Sequence, residues 1–396
     1  MRKIYPVVIG LGYVGLPIFL SLQKHFKTVG FDINVQRIKE LKKGVDLNKT
    51  LNTKLKIKNN SYFTNNVKLI KKCNFFIVAV PTPITKNNKP DLKKLIAAAK
   101  LVGKVINRGD IVFFESTVYP GVTNKICLKL ITKISGLSKD EFTIGYSPER
   151  INPGDKVNTL NNITKIVSTE NDKAKKIVLN VYRKVSKKVI FNNKIIEAET
   201  SKVIENIQRD LNIALMNEIY IICEKQNINF YKVLELASSK WNFIKFNPGL
   251  VGGHCLPVDP YYFSYFARTN KLNTEIILAG RKVNNKMLNF CIEKIKKEIK
   301  KRYLTKKSKI LILGLTYKPN VPDIRNSIPL KIFKKLKKNY YVSAMDPVLS
   351  KNDIRKFKVK KFRKNLKKYD LVIILVRHDQ FKKLKIKNEL KIFEWK

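Results

Sequence analysis

The sequence predicts an α/β chain in which two doubly wound lobes are joined by a helical middle. Three observations predict it. Short apolar strands alternate with helical stretches through the first third of the chain. From Glu197 to about Ser238 the apolar positions Val203, Ile207, Leu211, Ala214 and Leu215 keep helical spacing. At Ile310 the strand-and-helix alternation starts again. Such alternation implies mostly parallel sheets covered by helices.

In order, Ile4–Ile9 reads as a strand, Gly10–Gly15 as a turn, and the following residues as a helix to about Lys27. Thr28–Asp32, Phe75–Val80 and Ile111–Glu115 read as further strands, with a helix over Leu92–Ile106. The helical middle includes Met287–Lys301, whose outer face is strongly basic. Ile310–Leu313 and Leu371–Val376 are the strands of the second lobe. At roughly 100–200 residues per domain, 396 residues suggest two or three domains. The expected divisions are 1–195, 196–300 and 301–396.

The formal net charge is +51, from 81 Lys and Arg against 30 Asp and Glu. Only 13 of those cations are Arg and 68 are Lys. Nucleic-acid readers draw on the bidentate Arg fork, so this balance reads as a chain-wide compositional bias and not as a nucleic-acid surface. The five cysteines (73, 127, 223, 255 and 291) are odd in number and have no metal-like spacing. No metal site and no disulfide framework is expected, and the compartment is read as reducing and cytoplasmic. Met1-Arg2-Lys3 followed by uncharged Ile4–Gln23 imitates a secretory leader, but its three spaced glycines mark a folded βα unit. No apolar run approaches the roughly 18 residues of a membrane helix.

Gly10-Leu11-Gly12-Tyr13-Val14-Gly15 forms G-x-G-x-x-G directly after a strand. The first glycine permits the tight turn, the second lets a pyrophosphate approach the backbone, and the third lets helix and strand pack closely. Asp32 closes the second strand, where a carboxylate binds a ribose 2′-OH and repels a 2′-phosphate. A Rossmann-like lobe that takes NAD is expected. Val80-Pro81-Thr82-Pro83 ends a later strand on the edge where such a ligand lies.

Three segments carry polar groups that packing alone does not need. They are Glu115-Ser116-Thr117-Val118-Tyr119-Pro120-Gly121, Tyr146–Gly154 with Glu149 and Arg150, and Phe246–Asp259. In the third, a glycine-dense loop delivers Cys255 with Asp259 four residues on, a plausible nucleophile presentation. Lys202 and Asn206, at i and i+4, share one helix face and can offer an ammonium and an amide to one oxygen.

With these motifs the chain resembles the UDP-glucose/GDP-mannose dehydrogenase family from end to end. The resemblance rests on G-L-G-Y-V-G-L-P, V-P-T-P, E-S-T-V-Y-P-G-V-T, Y-S-P-E-R-I-N-P-G-D, the Lys202–Asn206 helix, G-G-H-C-L-P-V-D-P-Y-Y, and Lys318 with Asp323-Ile324-Arg325-Asn326-Ser327. Trp241-Asn242-Phe243 leading to the cysteine loop, and Val258 where the UDP-glucose branch has Lys, resemble the N-acetylhexosamine branch. That branch makes uronates for surface polysaccharides such as Vi-type capsule and O-antigen.

The resemblance implies an NAD-binding lobe, a central helical domain with the cysteine loop, a UDP-binding C-terminal lobe, and a homodimer. It implies a four-electron oxidation of the C6 alcohol of a UDP-N-acetylhexosamine, with Cys255, Lys202, Asn206, Asp259, Glu149 and Thr117 catalytic. Gly10, Gly12, Tyr13, Val14, Gly15, Asp32, Arg37, Val80, Pro81, Thr82, Thr117 and Arg325 match cofactor positions. Glu149, Arg150, Lys202, Asn206, Phe246, Gly249, Gly252 and Lys318 match substrate positions. A two-electron β-hydroxyacid-type dehydrogenase shares the first lobe, the helical middle and a catalytic lysine, but has no use for Cys255 or for a second α/β lobe.

Overall fold

The computed structural model describes residues 3–46, 55–151 and 157–393. Asn152, Pro153 and Gly154 of the second polar segment, and Asp155 of the motif that contains it, lie outside the described residues. The chain divides into two compact units. One comprises Met1–Glu205 and Tyr261–Leu272, the other Asn206–Pro260 and Asn273–Lys396.

The first unit is built on an eight-stranded sheet. Its strands are β1 (Pro6–Ile9), β2 (Val29–Phe31), β3 (Tyr62–Thr64), β4 (Phe75–Val78), β5 (Ile111–Phe114), β6 (Thr143–Tyr146), β7 (Thr164–Ser168) and β8 (Lys188–Asn192). The order is β3-β2-β1-β4-β5-β6-β7-β8, parallel except for β6 against β7. Its first six strands follow the doubly wound order in which ligands bind at the carboxyl ends, beside the switch point between β1 and β4. Strands buried on both faces need near-continuous apolar runs, and β1 (PVVI), β4 (FFIV) and β5 (IVFF) supply them, buried at every position. Helices α1 (Gly15–Leu22), α2 (Val35–Lys42), α3 (Lys93–Gly103), α4 (Lys129–Ser135) and α5 (Lys175–Tyr182) complete the lobe. The leader-like segment is therefore β1 and α1, a folded βα unit.

Helix α6 (Ile195–Lys225) carries the chain from the first unit into the second. The sequence expects one helical run to Ser238, but α7 (Phe230–Ala237) is separate. Asn227 adopts a left-handed conformation (φ 55°) and Asn229 caps α7 by accepting from the Lys232 N–H. Next come α8 (Asp259–Thr269) and α9 (Glu275–Lys301), three turns longer at its start than the basic stretch suggests.

In the second unit α9 leads to β9 (Ile310–Leu313), α10 (Ile328–Leu336), β10 (Val342–Met345), α11 (Lys351–Phe357), β11 (Leu371–Ile374) and β12 (Glu389–Lys391). The parallel sheet has the order β10-β9-β11-β12. Met216 and Tyr220 of α6, Phe230 of α7 and Ile295 of α9 share one core with Ile310, Ile312 and Ile373. Each such buried side chain contributes about 1.5–3 kcal/mol of transfer free energy. Among the described residues, no helix is long and apolar enough to cross a membrane.

Candidate active site

At the carboxyl edge of the large sheet, the glycine turn follows β1. Gly10 has φ +92°, and a Cβ there would lie 2.5 Å from the Ala79 carbonyl oxygen; a Cβ on Gly15 would lie 1.8 Å from the Gly10 carbonyl oxygen. Only glycine fits either position. In front of Gly12 there is open space, for an added Cβ there would meet nothing within 4 Å. Helix α1 begins at this turn with no side-chain cap and no acidic residue in its first turn, so the positive end of its backbone dipole is left unneutralised there.

Asp32 directly follows β2. Its Oδ2 accepts the Leu11 N–H and its Oδ1 the Asn34 N–H, both at 2.9 Å, which ties the carboxylate to the turn while leaving it half-exposed. Arg37 is buried. Its Nε donates to the Leu11 carbonyl (3.0 Å), and its guanidinium pairs with Asp46 at 2.8 Å. Arg37 thus braces the turn from behind. Val80 and Thr82 are locked to the loop after β5. The Val80 N–H donates to Ser116 Oγ (3.0 Å), and Thr82 Oγ1 donates to the Thr117 carbonyl (2.7 Å). Tyr262 of α8, which sequence reasoning missed, donates from its hydroxyl to the Thr82 carbonyl (2.8 Å). Thr117 itself is half-exposed, as are Tyr13 and Val14, and Pro81 is exposed.

Beyond β6, the Glu149 Oε1 accepts the Ile151 N–H, while its buried Oε2 has no hydrogen-bond partner among the described residues. Arg150 donates to Glu205 of α6 and, at 3.2 Å, to the Thr164 carbonyl. Beneath this segment lies a fully buried ion pair. Lys165 Nζ bonds Glu115 and lies 3.3 Å from the Pro148 carbonyl. Burial pushes the Glu115 carboxyl up to about 7, with Lys165 pulling the other way. Glu199 of α6, also buried, accepts the N–H groups of Gly121 (2.5 Å) and Thr123 (2.9 Å) and so holds the loop that starts at Glu115. Lys202 follows one turn later and is buried as well.

In the second unit Asn206 Nδ2 donates to Asp259 Oδ2 at 2.5 Å, and both side chains are buried. The Asn206 amide therefore already holds the Asp259 carboxylate. Cys255 precedes Asp259 in a turn whose Cys255 carbonyl accepts the N–H groups of Val258 and Asp259, both at 2.9 Å. Four cysteines are buried and Cys255 is half-buried. Gly253 has φ +88°, and its Cβ would lie 2.8 Å from the Tyr317 ring. A Cβ on Gly252 would meet Tyr317 Cβ at 2.9 Å and the Asn326 carbonyl at 3.0 Å. The Gly253 N–H donates to the Arg325 carbonyl (3.2 Å), and Asn326 Nδ2 donates to the Gly253 carbonyl (2.9 Å). The cysteine loop and the Lys318–Ser327 segment, 60 or more residues apart, are thus one assembly.

Gly249 is held at both its N–H (2.8 Å) and its carbonyl (3.0 Å) by Asn217 of α6, and Asn217 bonds Asn284 of α9 (2.8 Å). Asn284 and Arg281 both reach Asp210. Phe246 packs on the core of this unit. Arg325, exposed, forks onto Asp323 with its Nε at 3.0 Å and a terminal nitrogen at 2.6 Å. Burial alone would raise the Asp323 carboxyl; those hydrogen bonds outweigh it and hold it below the ordinary aspartate value.

A nucleotide turn on one unit and a fixed cysteine loop on the other agree with what sequence comparison finds. The chain matches three domains of one family: its NAD binding domain over residues 4–186, its central domain over 196–286 and its UDP binding domain over 311–394. The chain belongs to the UDP-glucose/GDP-mannose dehydrogenase family. It is 45% identical over 386 residues to the UDP-N-acetyl-D-glucosamine 6-dehydrogenase of Salmonella typhi, covering 95% of this chain and 90% of that protein. It is 46% identical over 382 residues to Protein CapL of Staphylococcus aureus, covering 94% and 90%. The structure of the UDP-D-ManNAc dehydrogenase from Pyrococcus horikoshii superposes with a TM-score of 0.84 at 30% identity, over 96% of this chain and 91% of that one.

The protein is an NAD-dependent dehydrogenase. The residues fit that cofactor. The space before Gly12 and the uncapped start of α1 suit a diphosphate. The half-exposed Asp32 carboxylate suits a ribose diol.

Proposed function

We propose that this dehydrogenase is a nucleotide-sugar 6-dehydrogenase that oxidises the C6 alcohol of a UDP-N-acetylhexosamine to the uronate. The observation that carries this reading is Cys255, the one half-buried cysteine among four buried ones, on a loop that glycines and Asn326 hold in place. The 45% identity to a UDP-N-acetyl-D-glucosamine 6-dehydrogenase supports the substrate class. The product is assigned to surface-polysaccharide synthesis on the resemblance to Vi-type enzymes.

Bound NAD supplies the hydride acceptor for each of two oxidations. The chain's own residues do the rest. Lys202 takes the C6 hydroxyl proton or balances the charge that develops on its oxygen. Asn206 commits one amide N–H to Asp259 and offers the other to the same oxyanion, a contribution commonly of a few kcal/mol per donor. The Cys255 thiolate adds to the aldehyde carbon as a thiohemiacetal, because a carbonyl carbon yields its hydride readily only once it is tetrahedral. Loss of that hydride leaves a thioester. Glu149 activates the water that cleaves it, and its Oε2, without a hydrogen-bond partner among the described residues, supports that role. Water oxygen enters the carboxylate, and the cysteine leaves as thiolate. Thr117 steadies that water or the cofactor.

The NAD site is assigned to Gly10, Gly12, Tyr13, Val14, Gly15, Asp32, Val80, Pro81 and Thr82. Arg37 braces the turn, and Arg325 contributes from the last lobe. Arg150, Phe246, Gly249, Gly252 and Lys318 are assigned to the substrate. The work is divided among residues 1–195, 196–300 and 301–396, which the domain matches support. A homodimer is favoured by Leu215 and Ile222, exposed apolar residues two turns apart on one side of α6. The five cysteines, none in a disulfide, support a cytoplasmic setting.

The test is stoichiometric. Incubation with NAD and each UDP-N-acetylhexosamine is expected to yield two NADH per sugar consumed. A plateau at one would overturn the four-electron mechanism.

A further inference from the structure

In the second unit, three loops that follow parallel strands converge on one buried pair. Because β9 lies between β10 and β11, the residues after β10 and β11 flank the turn that follows β9. Asp346 follows β10, His378 follows β11, and neither is exposed. Asp346 Oδ2 accepts the N–H groups of Leu315 (2.7 Å) and Thr316 (3.2 Å), and its Oδ1 accepts that of Val348 (3.0 Å). His378 Nε2 lies 3.0 Å from the same Oδ2, and His378 Nδ1 accepts the Asn320 N–H at 2.9 Å. An imidazole that accepts at Nδ1 carries its proton on Nε2, so it donates to Asp346 and its tautomer is set by the fold. Burial works to raise the Asp346 carboxyl. The hydrogen bonds from His378 and the backbone outweigh burial and keep it an acceptor below the ordinary aspartate value.

The pair therefore seizes the Thr316–Asn320 turn near both ends. Within the turn, Thr316 Oγ1 donates to the Lys318 carbonyl (3.0 Å), and the Tyr317 N–H donates to the Asp323 carbonyl (3.1 Å). Two residues of this turn bear on the proposed chemistry. One is Lys318, assigned above to the substrate. The other is Tyr317, whose ring and Cβ occupy the space a side chain on Gly253 or Gly252 would need. Apolar residues at 346 and 378 would fill the same volume, but would leave the N–H groups of Leu315, Thr316 and Asn320 without acceptors. Packing alone does not call for an Asp–His pair at this edge.

We propose that Asp346 and His378 are positioning residues that fix one turn so that it presents Lys318 to the nucleotide end of the substrate and Tyr317 to the cysteine loop. Nucleotide recognition and nucleophile placement then share a single buried anchor. The proposal rests on the assignment of Lys318 to the substrate.

The experiment uses the full-length enzyme and UDP as the probe in calorimetric titration, with Lys318→Ala, His378→Gln and His378→Asn. Glutamine can still donate toward Asp346 but offers nothing at the Nδ1 position, whereas asparagine keeps an acceptor there for the Asn320 N–H. His378→Gln is expected to weaken UDP by about tenfold, the worth of the hydrogen bond from the Asn320 N–H that it loses. The same variant should raise KM for the UDP-sugar equally while leaving KM for NAD within about twofold. His378→Asn should recover most of the loss. If Lys318→Ala loses UDP and both His378 variants bind it like wild type, the anchor is overturned. Equal losses in both variants, with KM for NAD rising alongside, would also overturn it in favour of a merely structural role. Should Lys318→Ala bind UDP like wild type, the Lys318 assignment falls. The anchor is then judged by the rate of Cys255 alkylation with iodoacetamide, which it requires to change in His378→Gln and return in His378→Asn.

Discussion

Cys255→Ser should abolish turnover, by at least about 10³-fold in kcat, while NAD and UDP bind as they do to wild type. Nucleophilicity at neutral pH belongs to the thiolate, and a serine hydroxyl, which is far less acidic, does not replace it. No other cysteine can take over. Burial pushes the thiols of Cys73 and Cys291 up to about 12 and raises that of Cys127 as well, so all three stay protonated and inert. Cys223 is buried too. The loop is rigid at the point of substitution, because Gly253 is trapped between Tyr317 and Asn326. Serine should therefore occupy the thiol position without moving the backbone, and the loss will report on chemistry and not on folding. The hydrolytic half of the cycle is read in the same assay with Glu149→Gln, for which intact-mass measurement should find a sugar adduct on Cys255. Uronate production by Cys255→Ser at the wild-type rate would remove the cysteine from the mechanism, and an adduct-free Glu149→Gln would remove Glu149 from hydrolysis.

The parts of this enzyme that were readable in the sequence are those whose physics is local. β9 lies at Ile310–Leu313 as the apolar run alone dictates, since a strand buried on both faces must be apolar throughout. The glycine turn and Asp32 were readable because spacing along the chain fixes what they can do. Strands β6, β7 and β8 are no shorter than β9 but were not readable, for they carry polar residues such as Thr143, Lys165 and Lys188. Lys165 is the clearest case. A lysine argues against a buried strand until its partner, Glu115, is known, and that partner is 50 residues away in the sequence. Glu199, Asp346 and His378 escaped for the same reason: each satisfies backbone N–H groups that sequence cannot place beside it. Polar residues at conventional motif spacing were legible, whereas the polar residues that hold those motifs in place were not.

The second large effect is expected from that buried pair. Lys165→Met leaves the Glu115 carboxyl alone in the core, and removal of one partner of a buried ion pair costs about 3–5 kcal/mol. For a unit of this size the loss corresponds to a fall in Tm of roughly 6–20 °C. The effect should depend on pH in a defined sense. Burial already places Glu115 at about 7, above the ordinary 4.5 of the unfolded chain, so the fold holds a proton that the unfolded chain releases. The stability this group contributes is complete below about pH 4.5 and is lost as pH rises through about 7. Without the Lys165 ammonium the carboxyl rises further, so the variant should be nearly tolerated at pH 5 and most damaged at pH 8. The double variant Glu115→Met with Lys165→Met removes both charges and should recover most of the stability, since apolar replacement of a whole buried pair is often neutral. Because Lys165 also reaches the Pro148 carbonyl beside Glu149, the rescued double variant should fold yet hydrolyse its thioester more slowly. Thermal melts at pH 5 and pH 8 decide the matter: a Lys165→Met penalty that is equal at both values, or below about 1 kcal/mol, would mean that the Glu115 charge is not what the lysine is there to hold.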